Sequence, residues 1–259
     1  MTCVHMCSVR AVSDQSDQRS VGQECMRTVY GGLRMSDEHE RLRRSWIANA
    51  DAWEEVVRRD LIESRRTITN AAIVDAILER PQGTVLDLGC GEGWLSRVLA
   101  NRGLHVIGVD ASAPLIESAT TLGGAAFRVV DYDDIIANPS ILGATFDTIV
   151  ANFSLLDDRV GSLVLALRDV LAHDGRFIVQ TVHPMVGRGD GPYVDGWRTE
   201  TFRDMPGQWR EPMPWYFRTV GSWIRLFADN GYRIVDVREP IAPERQLPAS
   251  IIFICEPVG

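Results

Sequence analysis

The stretch "TVLDLGCGEGWLSRVLA", Thr84 to Ala100, decides the fold. It reads as a buried strand that runs into a glycine-rich turn and then a helix. Gly89, Gly91 and Gly93 alternate through the turn, with Cys90 and Glu92 between them. Glycine takes positive φ without steric cost and lets the backbone come close to a ligand. At the carboxyl end of a strand in an open α/β sheet, such a loop is where nucleotides bind.

Working outward, short apolar runs alternate with helical segments. Strands are expected near 84–88, 105–110, 126–130, 146–151 and 176–181, and helices near 93–102, 112–121 and 159–172. That rhythm indicates a parallel sheet with helices on both faces. Residues 183–222 break it. A helix near 220–230 follows, then strands near 233–238 and 250–256 with no helix between them, which suggests an antiparallel pair at the sheet edge. Upstream, "MSDEHERLRRSWIANADAWEEVVRRD" begins at Met35 with a plausible helix start at Ser36, and Trp46, Ala50, Trp53 and Val57 recur at helical spacing. Residues 67–80 form a second amphipathic helix. Residues 1–34 are rich in Ser, Gln, Asp, Gly and Arg and are expected to be a disordered leader.

Composition narrows the classes. Hydrophobic content of 45% and charged content of 24% are those of a soluble globular protein. No apolar run reaches the roughly 18 residues of a membrane helix, and the N-terminus lacks the apolar core of a signal peptide. The cytoplasm is the expected compartment. A net charge of −8 argues against a broad grip on nucleic acid. Every cation is arginine or histidine, for there is no lysine; genome composition bias is the simplest source. The cysteines, Cys3, Cys7, Cys25, Cys90 and Cys255, are odd in number and irregular in spacing, so a disulfide framework is not expected. Cys3, His5 and Cys7 have soft-metal chemistry but no second ligand pair, and no metal is expected.

The loop spacing bears on the ligand. A dinucleotide fingerprint is G-x-G-x-x-G with pyrophosphate on the helix N-terminus; here it is G-x-G-x-G. Asp87 lies two residues before the first glycine, where a carboxylate repels pyrophosphate and suits a cation. S-adenosyl-L-methionine carries an ammonium and a sulfonium and no phosphate. Asp110, at the end of "HVIGVDAS", is placed to accept from two vicinal ribose hydroxyls, a feature shared with NAD sites. In "FRVVDYDDI", Asp131 is a candidate acceptor for an adenine amino group, with the Tyr132 N–H for a ring nitrogen.

"VLDLGCGEGWLSRVLANRGLHVIGVDASAPLIESA" resembles the class I S-adenosylmethionine-dependent methyltransferases, in particular the small-molecule branch that includes the ubiquinone-biosynthesis-like enzymes. The resemblance is strong over 84–182 and weaker over 36–83 and 223–259. It implies a Rossmann-like α/β fold: a seven-stranded, mostly parallel sheet flanked by helices, with the last two strands an antiparallel hairpin. The methyltransferase domain is then 35–259, with 36–80 an N-terminal helical cap and 183–222 a lid on the acceptor side. The resemblance implies that Asp87, Gly89, Cys90, Gly91 and Gly93 hold the methionine part of the cofactor. Asp110 and Ala111 hold the ribose, and Asp131 and Tyr132 frame the adenine. Asn152 and Phe153, in "FDTIVANFSLLD", stand at its methyl end. Arg65, Arg66, Trp46 and Trp53 belong to the cap, where an arginine can meet the cofactor's carboxylate.

The segment His183 to Thr219 carries Trp197, Trp209 and Trp215. Exposing that much aromatic surface is unusual, and long loops are commonly lids. Methyl transfer from a sulfonium is an in-line displacement, served mainly by positioning and exclusion of water. A base is needed only for a protonated acceptor. His183 is the first candidate base and Tyr216 the second; His183 equally suits a capping role. Trp197, Trp215 and Arg218 are candidate acceptor contacts, Arg218 either clamping a carboxylate or phosphate or pairing with an acid of the protein. The expected function is methyl transfer to oxygen or nitrogen of a small-molecule acceptor by a monomer or homodimer. A nucleic-acid methyltransferase is the rival, disfavoured because Ala151-Asn152-Phe153-Ser154 lacks the prolines of a base-flipping motif. A non-catalytic cofactor-binding module and an NAD-dependent oxidoreductase complete the alternatives.

Overall fold

Val85, Leu86, Asp87 and Leu88 are all buried, and the apolar side chains among them alternate between two cores. Val85 enters one, Leu86 and Leu88 the other. The same alternation holds for Ile149 and Val150, for Phe177, Ile178 and Val179, and for Ile251, Ile252, Phe253 and Ile254. A period of two with both sides apolar is the mark of a sheet covered on both faces. The computed structural model describes residues 37–80, 83–242 and 246–259. The expected leader, with Cys3, His5 and Cys7, and the expected helix start at Ser36 lie outside the described residues.

The strands are β1 (Thr84–Leu88), β2 (His105–Asp110), β3 (Ala126–Val129), β4 (Phe146–Asn152), β5 (Leu171–Val182), β6 (Gly196–Glu200), β7 (Met213–Phe217), β8 (Tyr232–Arg238), β9 (Ile241–Ala242), β10 (Leu247–Pro248) and β11 (Ser250–Pro257). The helices are α1 (Asp37–Ala48), α2 (Ala50–Arg58), α3 (Asn70–Leu78), α4 (Trp94–Ala100), α5 (Ala113–Leu122), α6 (Tyr132–Ala137), α7 (Val160–Ala166), α8 (Pro184–Gly187) and α9 (Val220–Asp229). Seven strands form one sheet in the order β3-β2-β1-β4-β5-β11-β8. The first five run parallel; β11 pairs antiparallel with both β5 and β8. Strand order reverses between β1 and β4, so the crevice outside their carboxyl ends is the topological switch point.

One face is covered by α3 and α4 through Ile73, Val74, Ile77, Leu95 and Leu99. The other is covered by α7 and α9 through Val160, Leu163, Val164, Trp223 and Phe227. Phe227 packs on Phe177 and Phe253 at ring-centroid distances of 6.1 and 5.3 Å. Among the described residues no helix is long and apolar enough to cross a membrane.

Three departures from the sequence reading bear on the site. The expected single N-terminal helix is broken at Asn49 into α1 and α2, and Val56 is buried where Val57 was expected to face the core. The helix expected from 67 begins earlier with a π-helical turn, Arg65–Thr69. The span 183–222 is built around α8 and the two-stranded hairpin β6–β7. Asn49 ties that hairpin to the helices: its side chain accepts from the Arg210 N–H at 2.7 Å and donates to the Glu211 carbonyl at 2.7 Å.

Candidate active site

The glycine loop joins β1 to α4. Gly89, Gly91 and Gly93 have φ of 71°, 57° and 82°, the left-handed region that any other residue enters at a cost. The Gly89 and Cys90 N–H groups both donate to the Val109 carbonyl, at 2.8 and 3.0 Å. The loop is thus folded onto the end of β2. Cys90 is buried, and burial pushes its thiol well above the ordinary value. The residue contributes its backbone, not a nucleophile.

Asp110 closes the loop from the next strand. Its Oδ2 accepts from the Gly91 N–H at 2.9 Å and its Oδ1 from the Ser112 N–H at 2.8 Å. Each oxygen keeps a second lone pair. Burial raises its pKa, opposed by those two N–H bonds. Ala111 follows as an exposed residue of the turn into α5.

Asp87 sits beneath the loop, 1% exposed, and accepts from the Ser96 hydroxyl at 2.6 Å. Burial pushes its pKa up to about 7, aided by the charges of Asp110 and Glu92 and opposed by the Ser96 hydrogen bond. Glu92 is also buried and pairs with Arg97. The loop is therefore set among three carboxylates, Asp87, Glu92 and Asp110, of which Glu92 is paired with Arg97. Because Asp87 binds its proton more tightly in the folded chain, its contribution to stability is full below about pH 4 and is lost as pH rises to about 7. Asp87→Asn is accordingly expected to raise the ligand-free melting temperature at pH 8. The gain is about 2–4 °C per kcal/mol regained, out of roughly 1–4 kcal/mol. It should vanish at pH 4. Melting curves across that range check it; an equal change at both pH values would contradict the assigned burial cost.

At the end of β3, Asp131 is the N-cap of α6. Its side chain accepts from the Asp133 N–H at 2.9 Å within a capping box, and Oδ2 lies 3.2 Å from Arg43 of α1. Tyr132 opens the helix, where its N–H has no intrahelical acceptor. Its hydroxyl reaches the Ser154 carbonyl at 3.4 Å, and burial raises its pKa. The loop after β4 faces it. Asn152 Oδ1 accepts from Gln180 Nε2 at 2.8 Å. Phe153 has φ of 57°, a strained value for an aromatic residue and one found preferentially at functional sites. The Ser154 hydroxyl donates to the Leu88 carbonyl at 2.6 Å, stitching this loop to β1 beside Gly89.

The π turn carries Arg65 toward the loop, its guanidinium 5.1 Å from the Trp94 ring centroid. Arg65 Nη2 is buried without a hydrogen-bond partner. Burial lowers the pKa of Arg65, offset by the charges of Glu92 and Asp60. π turns recur at functional sites. The π turn itself left no mark in the sequence.

The aromatic residues of 183–222 divide. Trp209 and Phe202 stack at 4.1 Å and pack with Trp53, which stacks on Trp46 at 5.0 Å; Trp197 joins this cluster. The hairpin therefore packs on α1 and α2, and the cap tryptophans face it. Trp197 also meets Tyr216 edge-on at 5.6 Å, and Trp215 meets Phe217 at 6.1 Å. The Tyr216 N–H donates to the Leu156 carbonyl at 2.8 Å, binding β7 to the loop after β4.

His183 is 4% exposed and caps α8. Its Nδ1 accepts from the Met185 N–H at 3.2 Å and its Nε2 meets Glu239 Oε1 at 2.7 Å. Both ring nitrogens are engaged within the protein. This geometry matches the capping role that the sequence left open.

One cluster was not anticipated. His39 of α1 pairs through Nδ1 with Asp157 Oδ2, Arg159 lies against the same ring, and Asp133 Oδ2 is 3.8 Å from Nε2. Burial alone raises the Asp157 pKa, but hydrogen bonds from Asp158, the Arg159 N–H and His39 outweigh it and hold the carboxyl low. The only sequence signal was the paired acid in "LLDDRV"; its partner is 118 positions upstream. A surface depression lies elsewhere, between Arg80, Arg168, Arg233 and Glu256, and the loop residues take no part in it.

The sequence of residues 58–237 matches the profile of a family described as a methyltransferase domain. The chain belongs to that family, and its fold is that of the class I S-adenosylmethionine-dependent methyltransferases. It is 26% identical over 160 residues to an uncharacterized methyltransferase of Schizosaccharomyces pombe, covering 58% of this chain and 59% of that one. It is 35% identical over 106 residues to a ubiquinone biosynthesis O-methyltransferase of Xylella fastidiosa, covering 38% and 42%. The chain spans about half the length of the curated relatives it matches. In structure it resembles the DhpI complex with SAM and HEP, with a TM-score of 0.59 and 21% identity over 86% of this chain and 99% of that one. At that identity the likeness speaks for the fold.

Proposed function

We propose that this chain is an S-adenosyl-L-methionine-dependent methyltransferase that methylates an oxygen or nitrogen of a small-molecule acceptor. One observation carries the reading. A loop of left-handed glycines is set among buried carboxylates, Asp87 and Glu92 below it and Asp110 bonded to its apex. Those carboxylates favour a ligand with positive charge and vicinal hydroxyls over a pyrophosphate.

The donor set fits the cofactor in detail. Asp110 offers one free lone pair on each oxygen to the ribose hydroxyls, with Ala111 alongside. The Asp131 Oδ2 and the Tyr132 N–H frame the adenine. The loop Gly89–Gly93 and Asp87 hold the methionine end, and the orphaned Arg65 Nη2 is available to its carboxylate. Asn152 and Phe153 border the methyl end. The bound cofactor supplies an activated methyl group on a positively charged sulfur. The residues of this chain orient it and exclude water: α1, α2 and the β6–β7 hairpin act as cap and lid, with Trp197 and Trp215 on the acceptor side. With His183 engaged in its cap, Tyr216 is the remaining candidate base, acting through its phenolate form, and acceptors that ionise unaided need none.

The test is formation of S-adenosylhomocysteine from S-adenosylmethionine with a panel of small phenols, carboxylic acids and amines. Acceptor-dependent product is the expected result. Cofactor binding without turnover on any acceptor would favour the non-catalytic module.

A further inference from the structure

Arg218 follows β7 and is 5% exposed. Its Nη2 donates to the Asp157 carbonyl at 2.6 Å. Its guanidinium lies 4.7 Å from the Tyr216 ring centroid and 5.3 Å from that of Trp223. Nη1 is buried and has no hydrogen-bond partner.

The acids around it are committed elsewhere. Asp195 accepts from the Thr219 N–H at 2.8 Å and from the Ser222 hydroxyl. Asp157 is held by His39 and by the Arg159 N–H at 2.8 Å, and Asp158 bonds to Asp157. Among the described residues none of these carboxylates forms an ion pair with Arg218. A guanidinium stays charged at any ordinary pH. Holding it out of water against aromatic faces and a carbonyl is costly, and the charges of Asp195, Asp157 and Asp158 offset part of that cost without any of them pairing directly with it. Cation–π contact with two rings recovers more of it and still leaves Nη1 without a partner.

Its position says what Nη1 meets. Asp157 belongs to the loop that begins at Phe153, the residue bordering the proposed methyl end. Tyr216 ties β7 to that same loop. Arg218 therefore stands where the acceptor-side hairpin meets the loop at the reacting end. We propose that Arg218 clamps an oxyanion of the acceptor, a carboxylate or a phosphoryl group, so that the acceptor of this enzyme is an anionic small molecule with an apolar body set against Trp197 and Tyr216. This rests on the methyltransferase reading above. Arg218 is thereby a specificity-determining residue. The planar fork, already fixed by Asp157, presents Nη1 preorganised to the anion.

The experiment is calorimetry on the full chain saturated with S-adenosylhomocysteine, using benzoate, inorganic phosphate and neutral benzamide as probes. Benzoate or phosphate is expected to bind at least tenfold more tightly than benzamide, and which of the two does so identifies the oxyanion. Arg218→Met should erase that preference while S-adenosylhomocysteine binds as in the parent chain, and Arg218→Lys should keep part of it. Failure of both anions to bind tenfold more tightly than benzamide, or a preference that survives undiminished in Arg218→Met, overturns the clamp. If Arg218→Met fails to fold, Arg218→Lys decides: a reduced preference supports the clamp and an undiminished one overturns it. Failure of S-adenosylhomocysteine to bind the parent chain is a separate result: it removes the methyltransferase reading, and the clamp falls with it.

Discussion

Gly89→Ala is expected to lower the unfolding free energy by about 2–5 kcal/mol and methyl transfer by on the order of a hundredfold. Gly89 has φ of 71°, and a Cβ there lies 2.4 Å from Ser154 Cβ and 2.7 Å from the Tyr132 hydroxyl. Neither neighbour can yield cheaply. The Ser154 hydroxyl is bonded to the Leu88 carbonyl, and Tyr132 is rooted in the first turn of α6. The left-handed conformation costs about 1–2 kcal/mol by itself, and forced overlap in packed surroundings adds about 1–3. Gly91 is the internal control. Its φ is 57°, but nothing stands within 4 Å of its added Cβ. Gly91→Ala should therefore cost the ligand-free protein only the conformational part. Denaturation of both variants, with S-adenosylhomocysteine formation as the second readout, checks this. Equal destabilisation at the two positions would contradict the loop geometry.

Asp110→Ala is expected to weaken cofactor binding ten- to a hundredfold, the loss of charge-assisted hydrogen bonds of about 1.5–3 kcal/mol. Asp110 does two things at once. It holds the loop apex through Gly91 and the turn through Ser112, and it offers its remaining lone pairs to the ribose. Removing it leaves two N–H groups without acceptors as well as a ribose without its partner. Asp110→Asn separates these effects poorly, because an amide NH₂ set against either N–H places donor against donor. Titration calorimetry measures the loss, and unchanged affinity would sink the ribose assignment.

The fold was legible because the sheet is regular. Every strand of the seven-stranded sheet was anticipated within a few residues, since buried parallel strands must be apolar on both faces and glycine marks their turns. The loop residues Asp87, Gly89–Gly93 and Asp110 were legible for the same reason: they are local, and each sits at a strand end. What escaped depends on contacts distant in sequence. His39 and Asp157 meet only because α1 packs against the loop after β4. Arg65 turns toward Trp94 through a π turn that no residue pattern announces. His183 read as a base on its position after β5, while its two nitrogens are occupied by Met185 and by Glu239, 56 positions downstream. The hairpin β6–β7 escaped because its strands are short and lie in a segment whose aromatic residues gave no clean period.

Calorimetric titration of the chain with S-adenosyl-L-methionine, with NAD as the parallel ligand, tests the central claim most directly. Micromolar binding of the first and none of the second is the predicted result. Binding of NAD in its place would contradict the reading of Gly89–Gly93 and its ring of carboxylates, and the functional assignment with it.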